Sequence, residues 1–431
     1  MKIAIAGFGV EGRSNYEYFS REYPGAEVVI VDENEQLDNL PTDALSRQGS
    51  GVLEELDDFD IVVRTAGLSP HKVRTRGKVW SATNEFFAKC PAKIIGVTGT
   101  KGKGTTCSLI VSMLESAGKK VHLVGNIGTP ALDILPDIQP SDVVVYELSS
   151  FQLWDLERSP QVAVVLMIEP DHQDVHSSFE EYVAAKANIT IHQSENDLVI
   201  CHPQNEFSRQ IAEQSNGKRQ RFAVQDDGGA YVDLNNFCVQ GHAICSVDTL
   251  QLVGDHNQDN ACAAITVVRA IAPDVTNKQI SAGLQSFTGL PHRLKFVREV
   301  VGVRYFDDSI STTPGSAIAA MDSFEEQKVI ILGGSDKGAE YRSVVEKCKL
   351  TNSSVIAIGQ TGEKIASLCN ELGVIYRRYD TGTMQDFVLG AQEMSVIGGV
   401  VLLSPASASF GMFKNYADRG DQFIEAVRRL S

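Results

Sequence analysis

The sequence lacks the features that mark membrane, zinc-binding and nucleic-acid-binding proteins. None of its eight cysteines forms a CxxC pair, and no pair of histidines completes a zinc spacing. No apolar run approaches the roughly 18 residues of a membrane span. Basic residues are in deficit, with 39 Lys and Arg against 55 Asp and Glu, a formal net charge of -16. The sequence therefore predicts a cytoplasmic protein with reduced, buried thiols and with neither a membrane nor a nucleic-acid partner.

The most informative stretch that is present, residues 93–118, is an apolar strand, a glycine-rich loop and an amphipathic helix. Glycines let backbone N–H groups point at an anion, the helix adds the positive end of its dipole, and Lys103 adds a full charge. The pattern predicts a nucleoside triphosphate site made by Gly99, Thr100, Lys101, Gly102, Lys103, Gly104, Thr105 and Thr106. The alternative is a mobile glycine loop without a ligand.

Magnesium beside the phosphates needs oxygen ligands, but Gly104 stands where the common loop motif has Ser or Thr. We expect Thr105, one residue later, to bind the ion. Glu147 and His172 follow two further apolar strands, at the strand ends where parallel-sheet enzymes place ligands. The alternatives are a helix-capping acid for Glu147 and a hydrogen-bonded loop histidine for His172.

A second glycine motif, GFGVEG, follows the first strand of the chain. Gly7, Gly9 and Gly12, with Asp32 about 20 residues further on, fit a dinucleotide-binding fingerprint. On this pattern alone NAD or FAD, another nucleotide, and plain tight turns all stay open. No acid–base pair suited to hydride transfer lies nearby in the sequence, which disfavours an oxidoreductase.

Short apolar runs alternate with helical segments along the chain, which predicts parallel sheets covered by helices on both faces. A chain of 431 residues exceeds one ordinary core. We expect an α/β protein of three domains, each with a mostly parallel sheet: a Rossmann-like domain at 1–91, a central P-loop ATPase domain at 92–291, and a Rossmann-like domain at 292–431. A glycine-broken polar stretch near 215–245 predicts a strand-rich insert, and Pro291 predicts a hinge.

Several strings occur in the order found in Mur ligases: GTKGKGTT, GNIGTPAL, ELSSFQL, PDH, EEYVAAKANI, GDHNQDN, GLPHRL, DDS, GGSDKG and SPASASFGMFKNYADRGDQF. The chain resembles this family over essentially its whole length. The strings ELSSFQL and SPASASFGMFKNYADRG are the most specific, because the phosphate loop is shared with folylpolyglutamate synthases. The resemblance implies a monomeric, ADP-forming ligase of peptidoglycan synthesis that joins D-glutamate to UDP-N-acetylmuramoyl-L-alanine, with ATP and two Mg²⁺ ions as cofactors.

The resemblance also implies a role for individual residues. It implies that Lys186 is carbamylated and holds a second magnesium ion with His172, while Thr105 and Glu147 hold the first. The catalytic set implied is Lys103, Glu147, His172 and Lys186. The further ATP-binding residues are Asn257, Asn260, Arg293 and Asp308. The residues for the sugar nucleotide are Gly7, Gly9, Val10, Glu11, Gly12, Asp32, Thr65, Gly67 and Asn126. The residues for D-glutamate are Thr312, Lys337, Ser409 and Tyr416.

The chain departs from the family pattern at Gly104, Met167 and Ile310. At position 310 the family usually has a lysine. Two other functions therefore stay open, a folylpolyglutamate-type ligase on the same scaffold and a non-catalytic sensor of UDP-sugars. Without the resemblance, Lys186 is an ordinary exposed helical lysine. GGSDKG is then a turn at a strand end, and SPASAS is a helix cap.

Overall fold

The structure, a computed structural model, describes residues 1–37, 40–126, 129–171, 175–225, 228–252, 254–336 and 338–431. Two predicted site residues, His172 and Lys337, lie outside these ranges. The chain forms two compact units, Met1–Leu250 with Asp255–Phe287, and Gln251–Gly254 with Thr288–Ser431. The domain boundaries at 91 and 291 stay predictions, because the first unit holds the sheets assigned to both the first and the second domain.

The first sheet of the first unit has the Rossmann-like strand order. Its strands are β1 (Lys2–Ala6), β2 (Glu27–Asp32), β3 (Leu45–Gln48), β4 (Ile61–Arg64) and β5 (Lys78–Ser81), and its helices are α1 (Val10–Glu22) and α2 (Ala82–Lys89). The five strands are parallel in the order β3-β2-β1-β4-β5. The central strands β1 and β2 are apolar and almost wholly buried, as expected for a parallel sheet covered on both faces.

The second sheet carries the phosphate loop on a central strand. Its strands are β6 (Lys93–Thr98), β7 (Val121–Gly125), β8 (Val143–Glu147), β9 (Val162–Val165), β10 (Leu198–Cys201) and β11 (Lys218–Arg221). They are parallel in the order β11-β10-β9-β6-β8-β7. The register pairs Val97 with Glu147 and Thr98 with Val165. The ends of β6, β8 and β9 therefore meet at one edge of the sheet.

Seven helices and a small antiparallel sheet complete the described part of the first unit. The helices are α3 (Lys103–Ser116), α4 (Ala131–Ile134), α5 (Ser150–Leu153), α6 (Phe179–Ala187), α7 (Glu206–Glu213), α8 (His256–Ile271) and α9 (Asn277–Ser286). The antiparallel strands are β12 (Ala230–Asp233), β13 (Asn236–Val239) and β14 (His242–Ser246). They form the strand-rich insert that the sequence predicts.

Helix α3, expected to be amphipathic, is instead buried on nearly all sides. Every residue from Gly104 to Ile110 is buried, as are Met113 and Leu114. The reason is that α3 packs against β7 and β8 of the sheet and also against α8 and α9. A helix enclosed between two layers has no solvent face, so its apolar residues are not confined to one stripe.

The second unit contains one mostly parallel sheet. Its strands are β15 (Lys295–Val300), β16 (Val303–Asp307), β17 (Lys328–Gly334), β18 (Ser354–Gly359), β19 (Tyr376–Tyr379) and β20 (Val400–Leu403), in the order β15-β16-β20-β17-β18-β19. Its helices are α10 (Pro314–Asp322), α11 (Arg342–Leu350), α12 (Gly362–Leu372), α13 (Met384–Met394) and α14 (Tyr416–Arg428). The β15–β16 pair is antiparallel and the other pairs are parallel. The predicted α/β class is confirmed.

The two large sheets of the first unit share one apolar core. The buried cluster contains Ile3 and Ile5 of β1 together with Val144 and Tyr146 of β8. The rings of Phe86 in α2 and Tyr146 lie 5.5 Å apart between centroids. A continuous core explains why the two sheets form one compact unit. Within the described ranges, no helix combines the length and the apolarity that crossing a lipid bilayer requires.

The close packing of α9 on α3 depends on Gly283. A Cβ atom added at Gly283 lies 2.5 Å from the Cα of Met113, so the Gly283→Ala variant must move a backbone. We expect it to lower the free energy of unfolding by about 3 kcal/mol. Trp80 and Trp154, the two tryptophans of the chain, both lie in the first unit. Their fluorescence during urea denaturation therefore measures the stability of that unit.

Gly25→Ala is the control for this prediction, because a Cβ at Gly25 meets no atom within 4 Å. It is expected to leave the stability unchanged or raise it by less than about 1 kcal/mol. Equal effects of the two substitutions would show that the α3–α9 contact is not as close as the structure has it.

Candidate active site

The phosphate loop lies between β6 and α3 and has the backbone geometry of an anion site. Gly102, immediately before α3, has φ +83°, in the left-handed region that favours glycine. A Cβ atom there would lie 2.4 Å from Oδ1 of Asn260. No side chain of the described residues caps the start of α3, so its first N–H groups are available to an anion.

The predicted ATP residues of the first unit surround this loop. Lys103 Nζ donates hydrogen bonds to the carbonyl oxygens of Gly99 at 3.0 Å and Thr100 at 2.9 Å. Thr106 Oγ1 donates to Oδ1 of Asn260 at 3.3 Å. Asn260 Nδ2 in turn donates to Oδ1 of Asn257 at 3.1 Å. Helix α8 therefore brings Asn260 to the loop, with Asn257 bonded beside it; their contact with adenine stays a prediction.

Glu147 ends β8 beside the loop, and one of its oxygens has no hydrogen-bond partner among the described residues. The side chain is 3% exposed. Its Oε1 accepts a hydrogen bond from Asn126 Nδ2 at 3.0 Å, but no described residue bonds to the buried Oε2. The alternative of a helix-capping acid is wrong, because Ser149 caps α5. A buried carboxylate oxygen without a donor fits a bound cation.

Lys186 of α6 is buried at the same loop, so the alternative of an exposed helical lysine is wrong. The residue is 1% exposed. Its Nζ donates to Thr98 Oγ1 at 3.2 Å and to the Gly99 oxygen at 3.0 Å. The Gly99 oxygen therefore accepts from both Lys103 and Lys186. Burial, followed by the positive charge of Lys103, lowers the pKa of Lys186 well below its ordinary value.

The glycine loop of the first sheet is held closely by its own backbone. Gly7 has φ +90°, and a Cβ atom at Gly12 would lie 2.0 Å from the Gly7 oxygen. Asp32 Oδ2 accepts from the Phe8 N–H at 2.7 Å, and Oδ1 accepts from the Asn34 N–H at 2.9 Å. Asp32, the carboxylate predicted to contact a nucleotide, therefore orders the backbone of the loop. Gly9 begins α1 without a side-chain cap from the described residues, and Val10 beside it is 80% exposed.

A second loop, Thr65–Leu68, follows β4 and contacts the glycine loop. Thr65 Oγ1 donates to the Ala6 oxygen at 3.0 Å. Glu11 Oε2 accepts from the Ala66 N–H at 2.8 Å. Because β1 and β4 are parallel neighbours, these two loops lie at the same edge of the sheet. The structure thus brings together the residues predicted for the sugar nucleotide from Gly7 to Gly67.

The second unit places its own predicted residues near the ends of β16 and β20. Asp308 is 3% exposed. Its Oδ1 accepts from the Leu294 N–H at 3.1 Å and its Oδ2 from Ser404 Oγ at 2.7 Å. Burial raises the pKa of Asp308 to about 6. Ser409 is buried, whereas Arg293, Thr312 and Tyr416 are exposed. The helix-cap alternative for SPASAS is wrong, because Asn415 caps α14.

Sequence reasoning overlooked Arg64, although it named Thr65 and Gly67 beside it. Arg64 ends β4 and has no exposed surface. Its guanidinium bonds to groups of the first sheet's loop and of the segment around α5. The available signal was an arginine at the end of the apolar run IVVR, since a charge in a buried strand requires partners.

The fold and the site define a P-loop nucleotide-binding α/β protein. The Mur ligase middle domain matches residues 97–268. A relative from Clostridium kluyveri, named UDP-N-acetylmuramoylalanine–D-glutamate ligase, is 33% identical over 448 aligned residues that cover 100% of this chain and 97% of the relative. A relative with the same name from Clostridium botulinum is 31% identical over 451 aligned residues, which also cover 100% of this chain and 97% of the relative. The chain belongs to the Mur ligase family.

Solved structures agree with this fold. The match to the UDP-N-acetylmuramate-alanine ligase MurC from Thermotoga maritima has a TM-score of 0.61 at 17% identity and covers 99% of each chain. The match to MurF from Acinetobacter baumannii has a TM-score of 0.59 at 18% identity and covers 86% of this chain and 85% of the MurF chain. At these identities the likeness supports the fold alone.

The buried Asp308 makes the stability of the protein depend on pH. Its pKa is higher in the folded than in the unfolded state, so its stabilising contribution is complete below about pH 4 and is lost as the pH rises through 6. The difference in free energy of unfolding between the wild type and Asp308→Asn should fall by at most about 3 kcal/mol over this range. Urea unfolding followed by circular dichroism from pH 4 to 7.5 measures it.

Ser404→Ala tests the cause of this dependence. It removes a donor to the Asp308 carboxylate, so the pH at which stability is lost should rise. A wild-type-minus-variant difference that is flat across the pH range would contradict the prediction.

Proposed function

We propose that the protein is an ATP-dependent ligase of cytoplasmic peptidoglycan precursor synthesis that joins D-glutamate to UDP-N-acetylmuramoyl-L-alanine and releases ADP and phosphate. The names of the full-length relatives support this assignment. The structural observation that carries it is the convergence of Lys103, Lys186 and the unpartnered oxygen of Glu147 at one phosphate loop. We expect the enzyme to act as a monomer.

The chemistry requires that a carboxylate be activated before it forms an amide. A carboxylate has oxide as its leaving group, so ATP first phosphorylates it, and the amine of D-glutamate then attacks the acyl phosphate. The γ-phosphate and the carboxylate are both anions and repel each other. Positive charge at the phosphate loop offsets this repulsion and aligns the groups for in-line transfer.

The predicted site residues at the phosphate loop have separate roles in this scheme. Lys103 moves its Nζ from the loop carbonyls to the phosphates, and the start of α3 binds them through N–H groups. Thr105 and Glu147 would hold a first magnesium ion, which would neutralise phosphate charge and polarise the phosphoryl group. Thr106 is less suited, because it has no exposed surface.

The family resemblance implies carbamylation of Lys186, and the crowding of charge at Gly99 supports it. The amines of Lys103 and Lys186 are at most about 6 Å apart, since each lies 3.0 Å from the same oxygen. Two positive charges at that separation repel by about 3 kcal/mol at an effective dielectric constant of 20. Carbamylation would join the uncharged amine of Lys186 to the carbon of CO2 with release of a proton. The resulting anion would offer oxygen ligands to a second magnesium ion held with His172.

The remaining predicted residues complete the binding sites. Those for adenine, ribose and phosphate are Asn257, Asn260, Arg293 and Asp308. The two loops at the end of the first sheet, with Asn126, bind the sugar nucleotide. Thr312, Lys337, Ser409 and Tyr416 of the second unit bind D-glutamate. The absence of the usual lysine at Ile310 leaves Lys337 as the predicted cation for its carboxylates.

The assignment predicts ADP release that depends on three substrates. Purified protein with ATP and magnesium should release ADP when both UDP-N-acetylmuramoyl-L-alanine and D-glutamate are present, and L-glutamate should support at most about a hundredth of that rate. A coupled ADP assay measures this. The control replaces the sugar nucleotide by folate in the same assay. ADP release with folate but not with the sugar nucleotide would favour a folylpolyglutamate-type ligase. Binding of the sugar nucleotide without any ADP release would favour the sensor.

The role of Lys186 predicts a specific loss and a specific rescue. Lys186→Ala should lower kcat at least about a hundredfold, because an anionic metal ligand is lost. Added formate should restore part of the activity by supplying a carboxylate in the vacated space. Lys278→Ala, an exposed lysine on α9, is the control and should behave as the wild type. Full activity of Lys186→Ala would rule out the carbamate.

A further inference from the structure

Arg64 is a fully buried arginine that none of the roles above uses. It ends β4, directly before the Thr65–Leu68 loop, and its side chain has no exposed surface. Its Nε donates to Asp155 Oδ2 at 3.0 Å. A buried guanidinium is costly unless its donors are bonded, so a side chain at this position is held for the contacts it makes.

The partners of Arg64 belong to two different segments. Its Nη1 donates to the carbonyl oxygens of Thr65 at 3.2 Å and Leu68 at 2.6 Å, both in its own loop. Its Nη2 donates to the Phe151 oxygen at 2.9 Å. Phe151 and Asp155 lie in and after α5, the helix that follows β8 and Glu147. One planar group therefore ties the Thr65–Leu68 loop to the segment beside the phosphate site.

The same loop is also fixed from α1. The Ala66 N–H donates to Glu11 Oε2 at 2.8 Å, while the Leu68 N–H donates to the Thr65 oxygen at 3.0 Å. With the two bonds from Arg64, three backbone groups of the short turn bond to charged side chains. Such a loop keeps one conformation before a ligand arrives, which reduces the ordering cost of binding.

Asn84 offers a comparison within the same contact region. Its Nδ2 donates to the Asp155 oxygen at 2.8 Å and its Oδ1 accepts from the Glu157 N–H at 2.8 Å. Asn84 is 1% exposed. It joins α2 to the segment after α5, and Arg64 joins β4 to the same segment. The hydrogen bonds of Asn84 to other described residues do not involve the Thr65–Leu68 loop.

We infer that Arg64 is a positioning residue for the sugar nucleotide, which holds the Thr65–Leu68 loop in its binding conformation by bonding it to Phe151 and Asp155. This inference rests on the proposed function, because it assumes that the loop contacts the nucleotide. Arg64 itself touches no reacting atom. Its planar fork is essential, since a lysine places one point charge where arginine bonds in three directions.

The test compares Arg64→Met and Arg64→Lys with Asn84→Ala in the full-length enzyme. For each protein we would measure kcat, the KM for UDP-N-acetylmuramoyl-L-alanine, the KM for ATP, and the thermal midpoint by tryptophan fluorescence. Arg64→Met should raise the sugar-nucleotide KM at least about tenfold, with kcat and the KM for ATP within about twofold of wild type. Arg64→Lys should fall between Arg64→Met and the wild type.

The control separates positioning from stability. Asn84→Ala should lower the thermal midpoint as the Arg64 variants do but leave the sugar-nucleotide KM unchanged. Should Arg64→Met fail to fold, Asp155→Asn takes its place, because it keeps the shape of the pair and removes its charge. A smaller rise in the same KM is then expected.

The possible failures are distinguishable. A wild-type enzyme that turns over, together with Arg64 and Asp155 variants whose sugar-nucleotide KM is unchanged, overturns the inference alone. A KM that rises equally in Asn84→Ala overturns it as well, because the effect would then be structural. A wild-type protein that releases no ADP overturns the proposed function and this inference with it.

Discussion

The carbonyl oxygen of Gly99 is the acceptor on which the arrangement of the phosphate loop depends. Lys103 reaches it from the start of α3, and Lys186 reaches it from α6. The close approach of the backbone here requires a glycine, because a Cβ atom at position 99 would lie 2.8 Å from the Cβ of Leu166. Under the proposed function, the repulsion between the two amines would be relieved when Lys103 moves to a phosphate and Lys186 is carbamylated.

The order of the strands explains why such distant residues meet. Strand β6 lies between β8 and β9, so the loop after β6 has Glu147 on one side and the segment that leads to α6 on the other. Helix α8 adds its asparagines although it lies more than a hundred residues further along the chain. Parallel strands place all their carboxyl ends at one edge, and this topology assembles the site.

The sequence was sufficient for the central strands and the glycine loops, but not for the edges of the sheets. The strands β3 (LSRQ), β11 (KRQR) and β19 (YRRY) are polar edge strands, so no apolar run marks them. The burial of α3 on nearly all sides and the burial of Lys186 follow from neighbours distant in the chain, which local periodicity does not report. Arg64 was overlooked for the same reason, because its partners Phe151 and Asp155 lie 87 and 91 residues away.

The core that the two sheets of the first unit share restricts how this protein can evolve. The ring of Tyr146 in β8 packs against Phe86 and Phe87 of α2, and these contacts join the first sheet to the sheet that carries the phosphate loop. A first domain taken from another gene by recombination would lose this fit unless its aromatic residues changed together with position 146. Substitutions at these positions should therefore be correlated among descendants of this chain, and new substrates are more readily acquired through the loops than by exchange of the whole domain.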